Sequence, residues 1–397
     1  MSDPAFDLKR MALPVFGPSV LYGVANGAIM PVVALSAREL DASLAVAGLI
    51  AALIGVGSLF SNIPAALITA RYGERRSMVG AAAFCVLALL LCLSATRVWM
   101  LALGVLMVGM AASVFLLARQ SYLIDAVPAY MRARAMSTLG GTNRIGVFIG
   151  PFAGAGMIHF MGLAGAYWVA LAAMAAAGAI AYSVPDLHAG KADGAMPAAR
   201  PRIADVARSH ARIFLTIGVA ILLISALRAS RQVVLPLWGD HLGLNPSLTS
   251  IVYGLVAAVD MSVFYPAGKV MDQHGRLWVA VPASILMGLS LMAIPYTGHV
   301  ASFVVVSLIL GFGNGISSGI VMTLGADASP DTGRTQFLGI WRLMSDLGTS
   351  AGPVVLSAIT AAASLATGMA AIGAMGLAAA AMFQYWTPRL GLDRKRR

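Results

Sequence analysis

Asp125-Ala-Val-Pro128 returns 202 residues further along the chain as Asp327-Ala-Ser-Pro330. The residues around it return at the same offset. Arg132 answers to Arg334, and Gly146, Gly150 and Pro151 answer to Gly348, Gly352 and Pro353. Upstream, Pro64, Gly73 and Gly109 answer to Pro266, Gly275 and Gly311. No gap is needed anywhere from Pro64 to Pro353. A gap-free repeat of this length marks a chain made of two copies of one unit.

The copies are membrane units. The chain is 59% hydrophobic and 11% charged, with a mean hydropathy of +0.84, too little polar surface for a soluble globular protein. Twelve apolar runs are each long enough to cross a hydrocarbon core of about 30 Å. They fall near 11–35, 44–69, 77–95, 98–123, 136–160 and 164–184, then 212–237, 247–268, 277–297, 301–325, 336–360 and 364–388. In lipid the backbone must satisfy its own hydrogen bonds, and these runs are too long and unalternating for barrel strands, so each reads as a helix. The expected fold is an all-α membrane protein of twelve transmembrane helices in two six-helix bundles. An even number of spans per copy makes the copies parallel repeats, and many transporter folds are built on such repeats. The expected division is residues 1–188, a linker at 189–211, and residues 212–397.

The formal net charge of +11 is distributed as membrane topology requires, not as nucleic-acid binding requires. Of the 27 Lys and Arg, five lie inside spans, only Arg38 and Arg97 lie in loops on one side, and the rest lie on the other. By the positive-inside rule both termini are cytoplasmic, in an inner membrane. The start, with Asp3 and Asp7, does not read as a signal peptide, and Arg394 to Arg397 reads as a solvated cytoplasmic tail. Trp99, Trp168, Trp238, Trp278 and Trp386 lie near span ends, as interfacial tryptophans do. Cys85 and Cys92 are seven residues apart on one span, about 10 Å along its axis, too far for a disulfide and too few for a metal site. The six histidines are scattered and no catalytic cluster is visible, so neither an enzyme nor a cofactor is expected. No Gly-x-x-x-x-Gly-Lys-Ser/Thr loop occurs, which leaves a gradient as the energy source.

Three segments carry motifs. The loop after span 2 reads Ala66-Leu-Ile-Thr-Ala-Arg71-Tyr-Gly73-Glu-Arg75-Arg76. Its copy after span 8 reads Gly268-Lys-Val-Met-Asp272-Gln-His-Gly275-Arg276. Span 5 contains Gly146-Val-Phe-Ile-Gly150-Pro151-Phe-Ala-Gly154. With twelve spans in two parallel halves, the chain resembles the major facilitator superfamily along nearly its whole length. Its span 5 run resembles that of the family's drug and metabolite antiporters. The resemblance implies alternating access to a central cavity, with Arg71, Gly73, Arg75, Asp272, Gly275 and Arg276 at a cytoplasmic gate. There Asp272 is expected to accept hydrogen bonds from the N-terminus of a neighbouring helix. Gly73 and Gly275 permit a sharp turn. Glycines four apart in span 5 permit close helix approach, and Pro151 permits a bend. Two departures stand out. Ala70 occupies the place of the family's acidic residue in the first loop. Val105, four residues before Gly109, occupies the place of an arginine common in exporters of this kind.

Seven charges lie inside spans: Arg119, Arg144, Arg228, Arg231, Asp260, Arg342 and Asp346. A membrane-embedded charge costs at least about 2.5–3.5 kcal/mol unless it pairs or lines a wet cavity. Asp260 and Arg144 sit at similar depth, about 12–14 Å from the cytoplasmic ends. The fold implied by the resemblance sets spans 5 and 8 together, so Arg144 is one candidate partner for Asp260; Arg228, from span 7, is the other. By the repeat, Asp346 is the counterpart of Arg144 and Ser58 that of Asp260, which sets Asp346 near Ser58 with Arg342 one turn away. Tyr22, Asn26, Arg228, Arg231 and Arg119 are expected to line the cavity. Arg119, near the end of span 4, reads as a gate or snorkelling residue. Asp260 and Asp346 are the candidate proton carriers.

The expected function is secondary active export of a small organic or amphipathic molecule by a monomer in exchange for protons. The excess of embedded arginine points to an anionic or amphipathic ligand. Uptake or facilitated diffusion of an organic anion is the alternative, and a lipid-handling membrane protein is the second. A side opening between helices would speak for lipid.

Overall fold

A computed structural model of the chain describes residues 8–127, 132–185, 203–330 and 332–392. Asp3, Asp7, Pro128, the linker over 189–202 and the tail Arg394 to Arg397 lie outside the described residues. Twelve long helices account for most of them, and no strand occurs among them. They are α1 Leu8–Glu39, α2 Leu44–Tyr72, α3 Glu74–Leu93, α4 Val98–Ala126, α5 Arg132–Met161 and α6 Ala164–Ser183. The second set is α7 Val219–His241, α8 Pro246–His274, α9 Leu277–Ala293, α10 Val300–Ser317, α11 Arg334–Ala362 and α12 Leu365–Arg389. A helical turn at Ala211–Ile213 and a π-helical turn at Phe214–Gly218 extend α7 at its start. A short helix, Ile203–Ser209, precedes them within the expected linker.

Among the described residues, eleven helices are long and apolar enough to cross a membrane. The twelfth expected span, α11, has the length, 29 residues, but carries Arg334, Arg342 and Asp346 among its apolar residues. One expected span is interrupted. The run read as continuous over 301–325 ends at Ser317 and resumes as Ile320–Ala328. The Ser317 and Ser318 hydroxyls both donate to the Asn314 carbonyl, at 2.8 and 3.2 Å. Such back-bonding competes with the helix ladder and bends it.

The chain divides into two compact units. The first holds residues 1–41, 53–193 and 246–254; the second holds 42–52, 194–245 and 255–397. The units repeat one packing plan. In the first, α1 lies against α5 and α6, and α3 against α4 and α6. In the second, α7 lies against α11 and α12, and α9 against α10 and α12.

Glycine sets the tightest of these contacts. A Cβ on Gly146 would stand 2.1 Å from the Val20 carbonyl oxygen, and one on Gly150 2.5 Å from that of Val24. On α1, a Cβ on Gly23 would reach the Gly146 Cα at 2.9 Å, and one on Gly27 the Pro151 Cδ at 3.0 Å. The same contact recurs between α11 and α7, where a Cβ on Gly348 or Gly352 would run into the carbonyl oxygen of Leu222 or Ala226. Backbones this close gain dispersion contacts that no larger residue permits. Gly154 is different: its Cβ would lie 3.4 Å from Ala28, an ordinary contact.

Candidate functional site

A polar cluster joins α7, α8 and α10 in the second unit. Asp260 lies on α8, and an Arg231 Nη2 on α7 stands 3.8 Å from its Oδ2. Asn314, on α10, donates from Nδ2 to the same carboxylate and accepts from Arg228 Nε at 3.1 Å. Arg228 and Arg231 thus converge on one carboxylate–amide pair, as residues three apart on a helix face can. The approach of α10 to α8 is set by Gly315, whose Cβ would lie 2.5 Å from the Asp260 carbonyl oxygen. The missing side chain at Gly315 brings its neighbour Asn314 within reach of Asp260.

The geometry adds to the expected partners of Asp260. Arg231, read from sequence as part of a cavity wall, is an ion-pair partner of Asp260. Arg228 is joined to the same network through Asn314. Asn314 was not singled out from the sequence, although a single amide in the run Gly311-Phe-Gly-Asn314-Gly315 was a visible signal. Arg144 lies on α5 in the first unit. Asp346 pairs along its own helix with Arg342, Nε to Oδ2 3.8 Å, and the Arg342 side chain is 64% exposed.

A second cluster lies inside the first unit. Arg119, on α4, is buried, with 8% of its surface exposed. Its Nη1 donates to Ser19 Oγ at 2.7 Å, and Ser19 in turn donates to the Leu139 carbonyl at 3.0 Å. Its guanidinium lies 6.0 Å from the centre of the Tyr22 ring, which stacks on Phe115 at 5.6 Å. Arg119 therefore points inward, which corrects the snorkelling half of the expectation. It forms no ion pair among the described residues. Tyr22 and Asn26 line a small, mostly apolar cavity of about 20 Å³ with Ile54, Cys85, Ala112 and Met174. Both cysteines are buried thiols.

The loop motifs differ between the units. Gly73 and Gly275 both hold positive φ, 81° and 109°, the backbone that glycine favours. In the second unit Arg276 Nε donates to Asp327 at 2.8 Å, and its Nη1 donates to Asp272 at 3.2 Å and to the Met271 carbonyl at 3.0 Å. Burial works to lower the Arg276 pKa, and the bonds to Asp327 and Asp272 outweigh it, so the guanidinium is held above its ordinary range. Asp272 was expected to cap a neighbouring helix; it instead binds Arg276 one turn along. The stronger acid partner is Asp327, part of the repeated motif that discloses the fold. In the first unit Arg75 donates to the Tyr182 carbonyl and lies 4.9 Å over its ring. Arg71 lies over Tyr72 at 5.5 Å.

Fold and sequence point the same way. The sequence model described as Major Facilitator Superfamily matches residues 16–353 and 232–396. The chain belongs to the Major Facilitator Superfamily, and is a multi-pass membrane transport protein. It is 24% identical over 260 residues to a protein named "Multidrug resistance protein MdtH" from Yersinia pestis (strain Pestoides F), and equally to one from Yersinia pseudotuberculosis serotype O:1b. Each match covers 64% of this chain and 62% of the relative's own length. A solved D-xylose-proton symporter is 14% identical, with TM-score 0.71 over 94% of this chain and 96% of that one. A POT family transporter solved with 5-aminolevulinic acid is 12% identical, with TM-score 0.80 over 96% of both chains.

Proposed function

We propose that this chain exports a small organic or amphipathic molecule across an inner membrane by alternating access, in exchange for protons. Residues 1–188 and 212–397 act as the two moving halves, with both termini cytoplasmic. The observation that carries the reading is the Asp260–Asn314–Arg228–Arg231 network. It sets a carboxylate at membrane depth between two cations and an amide.

Such a carboxylate holds two states. Ionised, it neutralises Arg231 and orders Asn314. Protonated, it loses the charge attraction and frees a cation toward the cavity, so proton uptake is linked to rearrangement of α7 against α8. Asp346, paired with the exposed Arg342, is the second carrier candidate. The α5 glycine motif and the relatives named for multidrug resistance support export. Gly73, Gly275 and the Asp272–Arg276–Asp327 cluster serve the cytoplasmic gate.

The test is transport by purified protein in proteoliposomes under an imposed pH gradient, with a panel of cationic, neutral and anionic solutes. Gradient-driven movement of at least one solute, lost in Asp260→Asn, is expected. Movement independent of the gradient in the unmodified protein would reject proton exchange.

A second reading, facilitated movement of an organic anion, is favoured by Arg119. A buried guanidinium held by one hydroxyl and an aromatic ring retains its capacity to bind an anion. In the same panel this reading requires anionic solutes alone to move, down their own gradient.

A further inference from the structure

The first unit carries a groove that the transport reading does not use. It has a volume of about 490 Å³ and runs between α2, α3 and α4. That is within the ~300–1,000 Å³ typical of ligand sites. Arg76 and Tyr72 stand at its loop end, Gly80 and Phe84 line α3, and Ser61 and Val114 lie deeper. From Arg76 to Phe84 it extends about 12 Å along α3, and from Tyr72 to Ser61 about 16 Å along α2. That is about half of a 30 Å hydrocarbon core, the depth of one leaflet. A Cβ on Gly80 would have nothing within 4 Å, so the groove is open where it passes this residue.

Its charged mouth is peculiar to this copy of the repeat. In the second unit the loop is neutralised from within, by Asp272 and Asp327 on Arg276. In the first, Ala70 and Glu74 stand where the second has Asp272 and Arg276, and the positions of Gln273, Leu277 and Trp278 are taken by Arg71, Arg75 and Arg76. Among the described residues, Arg71 and Arg75 make only the ring and carbonyl contacts given above, and the exposed Arg76 makes no hydrogen bond or ion pair. None of the three forms an ion pair among the described residues. Arg76 lines the loop end of this apolar channel, and a cation at the mouth of a channel one leaflet deep complements one chemistry. It is an acyl chain with an anionic headgroup at the membrane surface, where each nearby arginine attracts anionic lipid.

We propose that the groove between α2, α3 and α4 binds an anionic phospholipid, with its phosphate at Arg76 and one acyl chain lying past Gly80 toward Ser61 and Val114. The lipid is a bound ligand, not the transported solute, and its binding does not depend on the direction or coupling of transport.

The test is native mass spectrometry of the detergent-purified full chain, titrated with phosphatidylglycerol and, separately, with phosphatidylcholine of the same acyl chains. The unmodified protein is expected to retain phosphatidylglycerol preferentially. Arg76→Gln is expected to reduce that preference about five-fold, the size of one arginine–headgroup attraction. Gly80→Leu has room for its side chain and fills the groove, and is expected to remove phosphatidylglycerol retention there. A phosphatidylglycerol with a photoreactive acyl chain is expected to cross-link to the peptides bearing Phe84 and Val114 in the unmodified protein, a readout free of any variant's folding. Equal retention of the two lipids by the unmodified protein overturns the proposal. So does a preference unchanged in Arg76→Gln, retention unchanged in Gly80→Leu, or cross-linking confined to other helices.

Discussion

Arg231 Nη2 stands 3.8 Å from Asp260 Oδ2 and ties α7 to α8 inside the second unit. Both side chains are largely enclosed, 11% and 16% exposed, so the pair is one that solvent screens poorly. Removing one partner of an enclosed pair costs about 3–5 kcal/mol, because the other is left uncompensated. Asp260→Asn is therefore expected to lower the melting temperature of the purified protein and to stop gradient-driven accumulation. Adding Arg231→Gln is expected to restore the melting temperature and leave accumulation lost. A double variant that regains accumulation would show the carboxylate to be a structural partner alone.

Asn314 holds Arg228 and Asp260 at once, by its two ends. Asn314→Leu removes both bonds without adding a charge. Leaving buried polar partners short of a bond costs roughly 1–3 kcal/mol. The expected result is a lower melting temperature together with loss of gradient-driven accumulation. Unchanged accumulation would separate Asn314 from the proton step.

The glycines of α5 are not equivalent. At Gly150 the nearest obstacle to a Cβ is backbone, the Val24 carbonyl at 2.5 Å, and backbone yields only by moving the helix. At Gly154 the nearest atom is at 3.4 Å. Gly150→Ala is expected to destabilise by about 1–3 kcal/mol, the range of overpacking, and Gly154→Ala by much less. Gly352→Ala, at the matching α11–α7 contact, is expected to behave as Gly150→Ala does. Thermal melts of the three variants in one detergent decide this. Equal melting temperatures for Gly150→Ala and Gly154→Ala would place α5 further from α1 than described.

At the α8–α9 loop, Asp327 is 23% exposed and bonds Arg276 at 2.8 Å; Asp272 is 55% exposed and bonds it at 3.2 Å. Exposed pairs contribute about 0–1 kcal/mol and charge-assisted bonds to enclosed groups about 1.5–3. Asp327→Asn is thus expected to loosen this end of the second unit more than Asp272→Asn. Labelling rates of a cysteine placed at Gln273 measure the loosening. A larger increase in Asp272→Asn than in Asp327→Asn would return the main role to Asp272.

By itself the sequence determined the membrane class, the twelve helices and the duplication, since these depend on the length of apolar runs and on an offset that the chain itself displays. It also marked which charges fall within the long apolar runs, because hydropathy alone sets those runs apart. Local pattern reached as far as the α5 glycines, whose spacing of four places them on one face. It did not say that α1 is the helix they meet, because partner choice depends on which surfaces complement each other after folding. The pairing of Asp260 is of the same kind. Depth along a helix pointed to Arg144 and Arg228, whereas Arg231 and Asn314 are brought to the carboxylate by the rotation of α7 and the close approach at Gly315 and were not visible in depth alone. Arg119 illustrates the limit most plainly. Its position near a helix end suggested a side chain reaching for water, whereas the direction it takes, inward to Ser19 and Tyr22, is set by how α4 is turned against α1. Side-chain direction on a helix is a three-dimensional quantity, and tertiary packing decided it.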